Sequence, residues 1–157
     1  MLGDTNVQPM LPVKDLEEAK KFYEEKLGLK RVGEEPGAAV VYQSGNGTLC
    51  VYLSRFAGTN QGTAALWEVG DVEGTVKELK DKGVSFEHYD NLPETKRTDD
   101  VHRAGDIVVA WFKDPDGNIL SVQNRPARPA KDGEGADQGA AKPSPAKPDE
   151  ATPEPPK

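Results

Sequence analysis

The sequence predicts an α+β fold in which two βαβββ modules follow each other, at about residues 6–56 and 62–125. The first observation behind this prediction is a repeat: Val13-Lys14-Asp15-Leu16-Glu17 returns 56 positions later as Val69-Gly70-Asp71-Val72-Glu73. The second is that the same order of helix and strand patterns surrounds each copy. The third is a change of composition after residue 126, which confines the core to the two modules.

Each copy of the repeat begins a predicted helix. Asp15 and Asp71 occupy the N-cap, where a carboxylate accepts hydrogen bonds from the free backbone N–H groups of the first turn. Gly28 and Gly83 end the helices, because glycine enters the left-handed conformation of the C′ position without steric cost. Apolar residues at spacings of three and four give each helix one buried face: Leu16, Ala19, Phe22, Tyr23 and Leu27 in the first helix, and Val72, Val76 and Leu79 in the second.

Short apolar segments separated by turn residues predict the strands. One strand precedes each helix, at residues 7–13 and 63–69, and three follow it: residues 30–33, 38–43 and 48–54 in the first module, and 84–88, 107–113 and 118–124 in the second. Asp114-Pro115-Asp116-Gly117 forms the turn of the last hairpin. Two such modules side by side are expected to bend their sheets into an open half-barrel, with the helices outside and a cup inside.

The last residues differ in composition from the rest of the chain. Residues 127–157 contain no Val, Ile, Leu, Met, Phe, Tyr or Trp, so we expect a disordered tail after a folded domain at residues 1–126. The tail holds 5 of the 20 Lys and Arg residues and 6 of the 27 Asp and Glu residues, which leaves the domain with a net charge of −6. This acidity argues against nucleic acid and anionic membranes as partners and favours neutral or cationic small molecules.

The sequence also indicates a compartment. One cysteine, Cys50, lies in the apolar run 49–53 and has no second cysteine for a disulfide. This predicts a small buried side chain in a reducing, cytoplasmic protein. Residues 1–10 show neither the basic nor the apolar region of a signal peptide, and no apolar run approaches the roughly 20 residues that cross a bilayer.

Two strings placed in this duplicated frame, Phe22-Tyr23-Glu24-Glu25-Lys26-Leu27-Gly28-Leu29 and Trp111-Phe112-Lys113-Asp114-Pro115-Asp116-Gly117-Asn118, resemble the vicinal-oxygen-chelate superfamily of glyoxalases, bleomycin-resistance proteins and extradiol dioxygenases. The resemblance covers roughly residues 6–124, nearly the whole domain. It implies a cup that holds a small molecule. It does not imply one activity, because this fold hosts isomerases, dioxygenases, thiol transferases and drug-sequestering proteins.

Metal-dependent members of this superfamily place His, Gln or Glu side chains on the cup-facing strands, around a divalent ion that polarises the substrate. The matching positions in this chain hold Gln8, Ala64 and Ser121, with Val51 at the symmetric position of the first module. Only Gln8 carries a ligand atom of the expected kind. A divalent ion needs several such groups, so we expect no metal site and no cofactor.

Strand alternation indicates which side chains line the cup. Most of them are apolar with scattered polar groups, which is the usual makeup of a small-molecule pocket. The predicted lining is Gln8, Met10, Val51, Leu53, Ala64, Leu66, Glu68, Trp111, Ser121 and Gln123. His102 joins them as a contact from the polar segment 90–105, which is predicted to be a loop near the cup mouth.

Two of these residues admit a chemical role. Glu68 is a candidate general base if the cup shields it from water, and the alternative is a solvated acid paired with a Lys or Arg. Trp111 either stacks on a planar ligand or belongs to the core. The sequence offers neither a Gly-x-Ser-x-Gly turn nor a base beside Cys50, so nucleophilic catalysis is not expected.

These observations predict a metal-independent protein that sequesters or senses a hydrophobic or aromatic small molecule. Two alternatives stay open. One is a glyoxalase- or dioxygenase-like enzyme with a non-standard metal site or with Glu68 as its base; the other is an accessory module that binds another protein. A monomer and a homodimer both stay open, because each chain already has two modules. The resemblance favours the homodimer, since superfamily members often pair so that their sheets meet across a two-fold axis.

Overall fold

The computed structural model describes residues 1–124. Their strands form two mixed sheets, one for each module, and the predicted α+β class with two βαβββ modules is confirmed. The predicted tail at residues 127–157 lies outside the described residues. Within residues 1–124, no helix is long and apolar enough to span a membrane.

Sheet I comes from the first module. Its strands are β1 (Met10–Val13), β2 (Lys30–Glu35), β3 (Ala39–Ser44) and β4 (Gly47–Leu53), in the order β1-β4-β3-β2. β1 runs parallel to β4, and the other neighbours are antiparallel. Helix α1 (Leu16–Lys20) follows β1 and continues without a break into a π-helical segment (Lys21–Lys26), which the sequence pattern did not indicate.

Sheet II comes from the second module and contains six strands. They are β5 (Thr63–Val69), β6 (Phe86–Glu87), β7 (Lys96–Thr98), β8 (Val101–Ala104), β9 (Ile107–Lys113) and β10 (Ile119–Asn124), and α2 (Val72–Asp81) lies between β5 and β6. The strand order is β5-β10-β9-β8-β7, with β6 paired to the end of β9. β5 and β10 are parallel, like β1 and β4 in sheet I. The two modules therefore repeat one topology, and the β7–β8 hairpin is an addition to the second.

The predicted helix ends are confirmed. The Asp15 carboxylate accepts hydrogen bonds from the backbone N–H groups of Glu17 and Glu18, at 2.8 and 3.1 Å, and the Asp71 carboxylate accepts one from Gly74 at 2.9 Å. After the helices, Gly28 and Gly83 adopt φ values of +69° and +79°, the left-handed conformation expected of a C′ glycine.

Replacing Asp15 with alanine removes both cap bonds and leaves two N–H groups of α1 without their acceptor. We expect the free energy of unfolding to fall by about 1 kcal/mol, measured by urea titration. Asp15→Asn is the control, because an asparagine oxygen also caps well and should keep most of that stability. Equal losses in the two variants would contradict a capping role for this side chain.

The first helix packs between the two sheets. Tyr23 stacks on Tyr42 of sheet I, with ring centroids 5.8 Å apart, while the neighbouring Phe22 contacts Phe112 of sheet II at 6.4 Å. The apolar faces of α1 and α2 therefore contribute to one continuous core that includes the helix-bearing faces of both sheets. The opposite face of each sheet carries no helix, and we call it the helix-free face.

A buried polar cluster joins the modules at the turn between β9 and β10. The Asp114 carboxylate accepts hydrogen bonds from the Tyr23 hydroxyl at 2.8 Å and from the Asn118 side-chain amide at 2.7 Å. The Asn118 amide also donates to the backbone carbonyl of Pro12, at 2.7 Å, and Asp116 accepts from the backbone N–H of Lys14. The predicted turn 114–117 is thus also the main polar contact of the second module with the first.

Candidate functional site

The helix-free face of sheet I follows from the register of its two parallel strands. Met10 lies beside Cys50 and Pro12 lies beside Tyr52, so these four side chains share the face opposite the core. Gln8 extends the row just before β1, where its amide donates a hydrogen bond to the Thr48 hydroxyl at 3.0 Å. Met10 is 52% exposed although it is a large apolar residue.

The predicted position of two β4 residues is wrong. Val51 pairs with Leu11, and both are almost fully buried in the core under the helices. Leu53 pairs with Val13, and it therefore lies on the helix-bearing side, where the strand end leaves it 41% exposed. The prediction placed Val51 by counting four residues after Gly47, in symmetry with Ser121 after Gly117. In the structure the alternation of β4 is offset by one residue from that count, so Cys50 and Tyr52 face away from the core.

Cys50 therefore takes the place predicted for Val51 on the helix-free face. It is buried, as the sequence predicted. Burial, together with the negative charge of Glu35, raises the pKa of its thiol, so the group stays protonated at neutral pH. A protonated, covered thiol packs as a small apolar side chain.

The helix-free face of sheet II brings together most of the other predicted residues. Ser121 lies between Leu66 of β5 and Trp111 of β9, and Gln123 lies beside Glu68. Leu66 is 45% exposed and Glu68 is exposed, whereas Ser121 is fully buried beneath its neighbours. The Trp111 indole N–H donates to the Thr63 hydroxyl at 3.1 Å, and this bond fixes the plane of the ring on the face.

Ala64 lies at the edge of this face. It lines a cavity of about 480 Å³ between β5 and the first module, which Leu66, Thr48 and Pro9 also line. A larger cavity of about 580 Å³, between α2 and the β7–β8 hairpin, is bordered mainly by charged side chains and does not include any predicted lining residue. A smaller apolar cavity of about 160 Å³ lies on the helix-bearing side, next to Leu79 and Phe112. The cavity beside β5 is therefore the one that predicted lining residues reach.

The segment 90–105 is not the open loop that its polar sequence predicted. Residues 96–98 and 101–104 form the β7–β8 hairpin, and His102 is fully buried in β8 beside Val109. Its ring contacts Trp111 edge-on at 5.0 Å. Backbone pairing of the hairpin with β9 satisfies the polar groups of the segment, which is why its low hydrophobicity does not prevent a strand from forming.

Tyr89 was not among the predicted site residues, although its ring lies 5.4 Å from Trp111 and 6.2 Å from His102. The three rings form an aromatic cluster at one end of the helix-free face of sheet II. A sequence signal was present, because Tyr89 follows the strand predicted at 84–88. Its position against β9 depends on the hairpin, which the sequence pattern did not reveal.

The residues at the superfamily's ligand positions do not fit a divalent cation. Gln8 contributes one amide, which is bonded to Thr48, Ala64 contributes a methyl group, and Ser121 contributes a buried hydroxyl. Among residues 1–124, no three His, Cys, Asp or Glu side chains come together as a metal-binding group. Such a donor set does not hold an ion that needs several oxygen or nitrogen ligands.

Comparison with known proteins matches this chain to one family model. The model of the Glyoxalase/Bleomycin resistance protein/Dioxygenase superfamily matches residues 7–122. No curated protein sequence matches the chain.

Several solved structures share the fold. TnmS3, an antibiotic binding protein from Streptomyces sp. CB03234, is 25% identical and has a TM-score of 0.53; the match covers 78% of this chain and 97% of that one. A bleomycin resistance determinant encoded on the transposon Tn5 is 20% identical with a TM-score of 0.57, over 76% and 97% of the two chains. A lactoylglutathione lyase from Agrobacterium tumefaciens is 20% identical with a TM-score of 0.56, over 77% and 93%.

Proposed function

The chain belongs to the glyoxalase/bleomycin resistance protein/dioxygenase superfamily, and from this premise we propose that it is a metal-independent binding protein for a hydrophobic or aromatic small molecule. One observation carries the proposal. Both helix-free faces present half-exposed apolar side chains, Met10 on sheet I and Leu66 on sheet II, and Leu66 shares a cross-strand row with Ser121 and the indole of Trp111. Apolar area left open to water at a concave site is the main source of affinity for a small guest.

The polar groups around this surface favour binding over catalysis. Gln8 is held by Thr48, and the Cys50 thiol is covered and protonated. Glu68 is exposed at the edge of the face, where it supplies negative charge for a cationic guest. The similarity to an antibiotic binding protein supports a binding function. The net charge of −6 in residues 1–126 also favours binding, because it attracts a cationic guest.

The proposal predicts that the two apolar contacts on sheet II are needed for the guest. We expect Trp111→Ala and Leu66→Ala each to weaken binding at least tenfold, which is about 1.4 kcal/mol, measured by calorimetry with bleomycin and with a set of neutral and cationic aromatic antibiotics. The ring and the isobutyl group provide area that alanine cannot replace.

Phe56→Ala is the matched control, because Phe56 is 60% exposed in the segment between the modules and lies on neither helix-free face. It should leave the affinity unchanged. If none of the compounds binds to the unsubstituted protein, or if all three variants bind equally well, the proposed guest site is wrong.

A metal-dependent enzyme remains the competing function, and thermal unfolding separates the two. After removal of metals with a chelator, we expect Ni²⁺, Mn²⁺, Fe²⁺ and Zn²⁺ to leave the unfolding temperature unchanged. A metal bound only to the native state at a hundredfold excess over its Kd would stabilise it by about 2.7 kcal/mol. A shift of that size that disappears in Gln8→Ala would favour the enzyme.

We also propose that a second copy completes the cup. The Phe22–Phe112 contact and the Tyr23–Asp114 hydrogen bond join the modules on the helix-bearing sides of the sheets, while the cavity of about 480 Å³ between β5 and the first module stays open. β1 and β5 are edge strands. A two-fold pair that places β1 of one copy near β5 of the next brings Met10 and the partner's Leu66 to one cavity.

Light scattering during size-exclusion chromatography should give twice the chain mass of 17.0 kDa, and a monomer that binds the guest at full affinity would overturn this arrangement.

A further inference from the structure

His102 is a fully buried histidine whose ring holds another segment by a single hydrogen bond. Its Nε2 atom accepts the backbone N–H of Tyr89 at 3.0 Å. An imidazole nitrogen accepts a hydrogen bond only when it carries no proton, so this contact requires the neutral ring with its hydrogen on Nδ1. Among the described residues, Nδ1 makes no hydrogen bond of normal geometry, although the backbone of Val109 lies close enough to favour the protonated ring; the Tyr89 contact is the well-formed hydrogen bond of this ring.

Tyr89 is the second residue of the segment 88–95, which connects β6 to β7 across one end of the helix-free face of sheet II. Its ring lies edge-on to Trp111 at 5.4 Å, and the His102 ring lies edge-on to Trp111 at 5.0 Å. The bond from Tyr89 to His102 therefore holds the segment against the aromatic cluster. Without that bond, the remaining contacts of Tyr89 with the cluster are apolar and weakly directional.

We propose that His102 is a proton-sensitive latch that keeps segment 88–95 closed on Trp111 and releases it when the ring is protonated. Protonation places a hydrogen on Nε2. Two hydrogen-bond donors, this N–H group and the backbone N–H of Tyr89, then face each other. The bond is lost, and a cation is left in a buried site. The consequence for guest binding rests on the proposed function, since it assumes that Trp111 contacts the guest; the latch itself does not.

Groups on the neighbouring elements change the pKa of the His102 ring. Arg97 on β7 and His88 beside β6 disfavour a positive charge on this ring, whereas Asp90 in the segment and the backbone of Val109 on β9 favour it; the Trp111 side chain on β9 is uncharged. Arg97 and Asp90 are paired with each other at 2.5 Å, so their effects partly cancel. Burial acts most strongly and, with Arg97 and His88, lowers the pKa of His102 below its usual value.

The direction of the pH effect follows from this lowered pKa. In the open or unfolded chain the imidazole has a pKa of about 6.5, so it takes up a proton at a higher pH than the closed state does. The closed state is therefore fully favoured above about pH 6.5 and loses stability as the pH falls from there towards the lowered pKa of His102. The latch is closed at neutral pH and opens in mild acid.

Amide hydrogen exchange of the full chain tests the latch without any ligand. We expect the protection factor of the Tyr89 amide, corrected for the intrinsic effect of pH, to fall several-fold between pH 7.5 and pH 5.5, up to the limit of about tenfold that an open-state pKa of about 6.5 allows. In His102→Gln the fall should be absent, because the glutamine oxygen can accept the same bond and does not titrate. In His88→Gln it should persist, since His88 is exposed and bonded to Asp100 instead.

A second measurement covers the case in which His102→Gln does not fold. In the unsubstituted protein, NMR should show the imidazole of His102 and the amide of Tyr89 titrating with one midpoint below pH 6.5. Separate midpoints, a fall in protection that survives in His102→Gln, or one that vanishes in His88→Gln would overturn the proposal. Calorimetry with bleomycin at both pH values then tests the guest site, and its failure would leave the exchange result intact.

Discussion

Replacing Asp114 with alanine should lower the free energy of unfolding by about 3–5 kcal/mol, measured by urea titration, because each buried donor left unsatisfied costs about 1–3 kcal/mol. The carboxylate is 95% covered and accepts four hydrogen bonds: from the Tyr23 hydroxyl, the Asn118 side chain and the backbone N–H groups of Asp116 and Asn118. Alanine leaves these donors unpaired where water does not reach them. Burial and the charge of Asp114 raise the pKa of Tyr23, so its hydroxyl stays protonated and remains a donor throughout the accessible pH range.

Two further variants calibrate that loss. Tyr23→Phe removes one donor and leaves the carboxylate three others, so it should cost about 1–3 kcal/mol. Asp116→Ala removes the acceptor for the Lys14 N–H on the same turn, at a half-buried position, and should cost about 1 kcal/mol. If Asp114→Ala were no more destabilising than Asp116→Ala, the cluster would not be a main link between the modules.

The fold could be predicted from local pattern because each element carries its own signal. The caps at Asp15 and Asp71, the closing glycines and the alternation in β5 and β9 are contained in short stretches of sequence. The strands at residues 63–69 and 107–113 have the predicted bounds. The Asp114 cluster could not be predicted in this way. Its turn is visible in the sequence, but its partner Tyr23 lies 91 positions earlier.

The site residues could be predicted only where the alternation within a single strand is enough to assign its side chains to one face of the sheet. Leu66, Glu68, Ser121 and Gln123 share the expected face because β5 and β10 alternate regularly beyond their first residues. Val51 was misplaced because the alternation of β4 is offset by one residue from the count after Gly47, an offset that no local pattern specifies. His102 was misplaced because a polar hairpin gains its order from pairing with β9.

Gly58 occupies a position that only glycine fits, and Gly58→Ala is the second variant with a large expected effect. Its φ is +71°, and a Cβ atom added there would lie 1.9 Å from the backbone carbonyl oxygen of Asp116. The left-handed conformation costs a residue with a Cβ about 1–2 kcal/mol, and the contact adds about 1–3 kcal/mol because the backbone must move. We expect the free energy of unfolding to fall by about 2–5 kcal/mol in total.

Gly37→Ala is a closely matched control for this prediction. Gly37 has the same φ of +71°, but no atom lies within 4 Å of an added Cβ. This variant should show the conformational cost alone, about 1–2 kcal/mol in the same titration. The difference between the two variants then measures how firmly the segment after β4 is packed on the turn 114–117. Equal losses would mean that this turn moves freely away from Gly58, and the link between the modules would have to lie in the apolar core around Phe22 and Phe112.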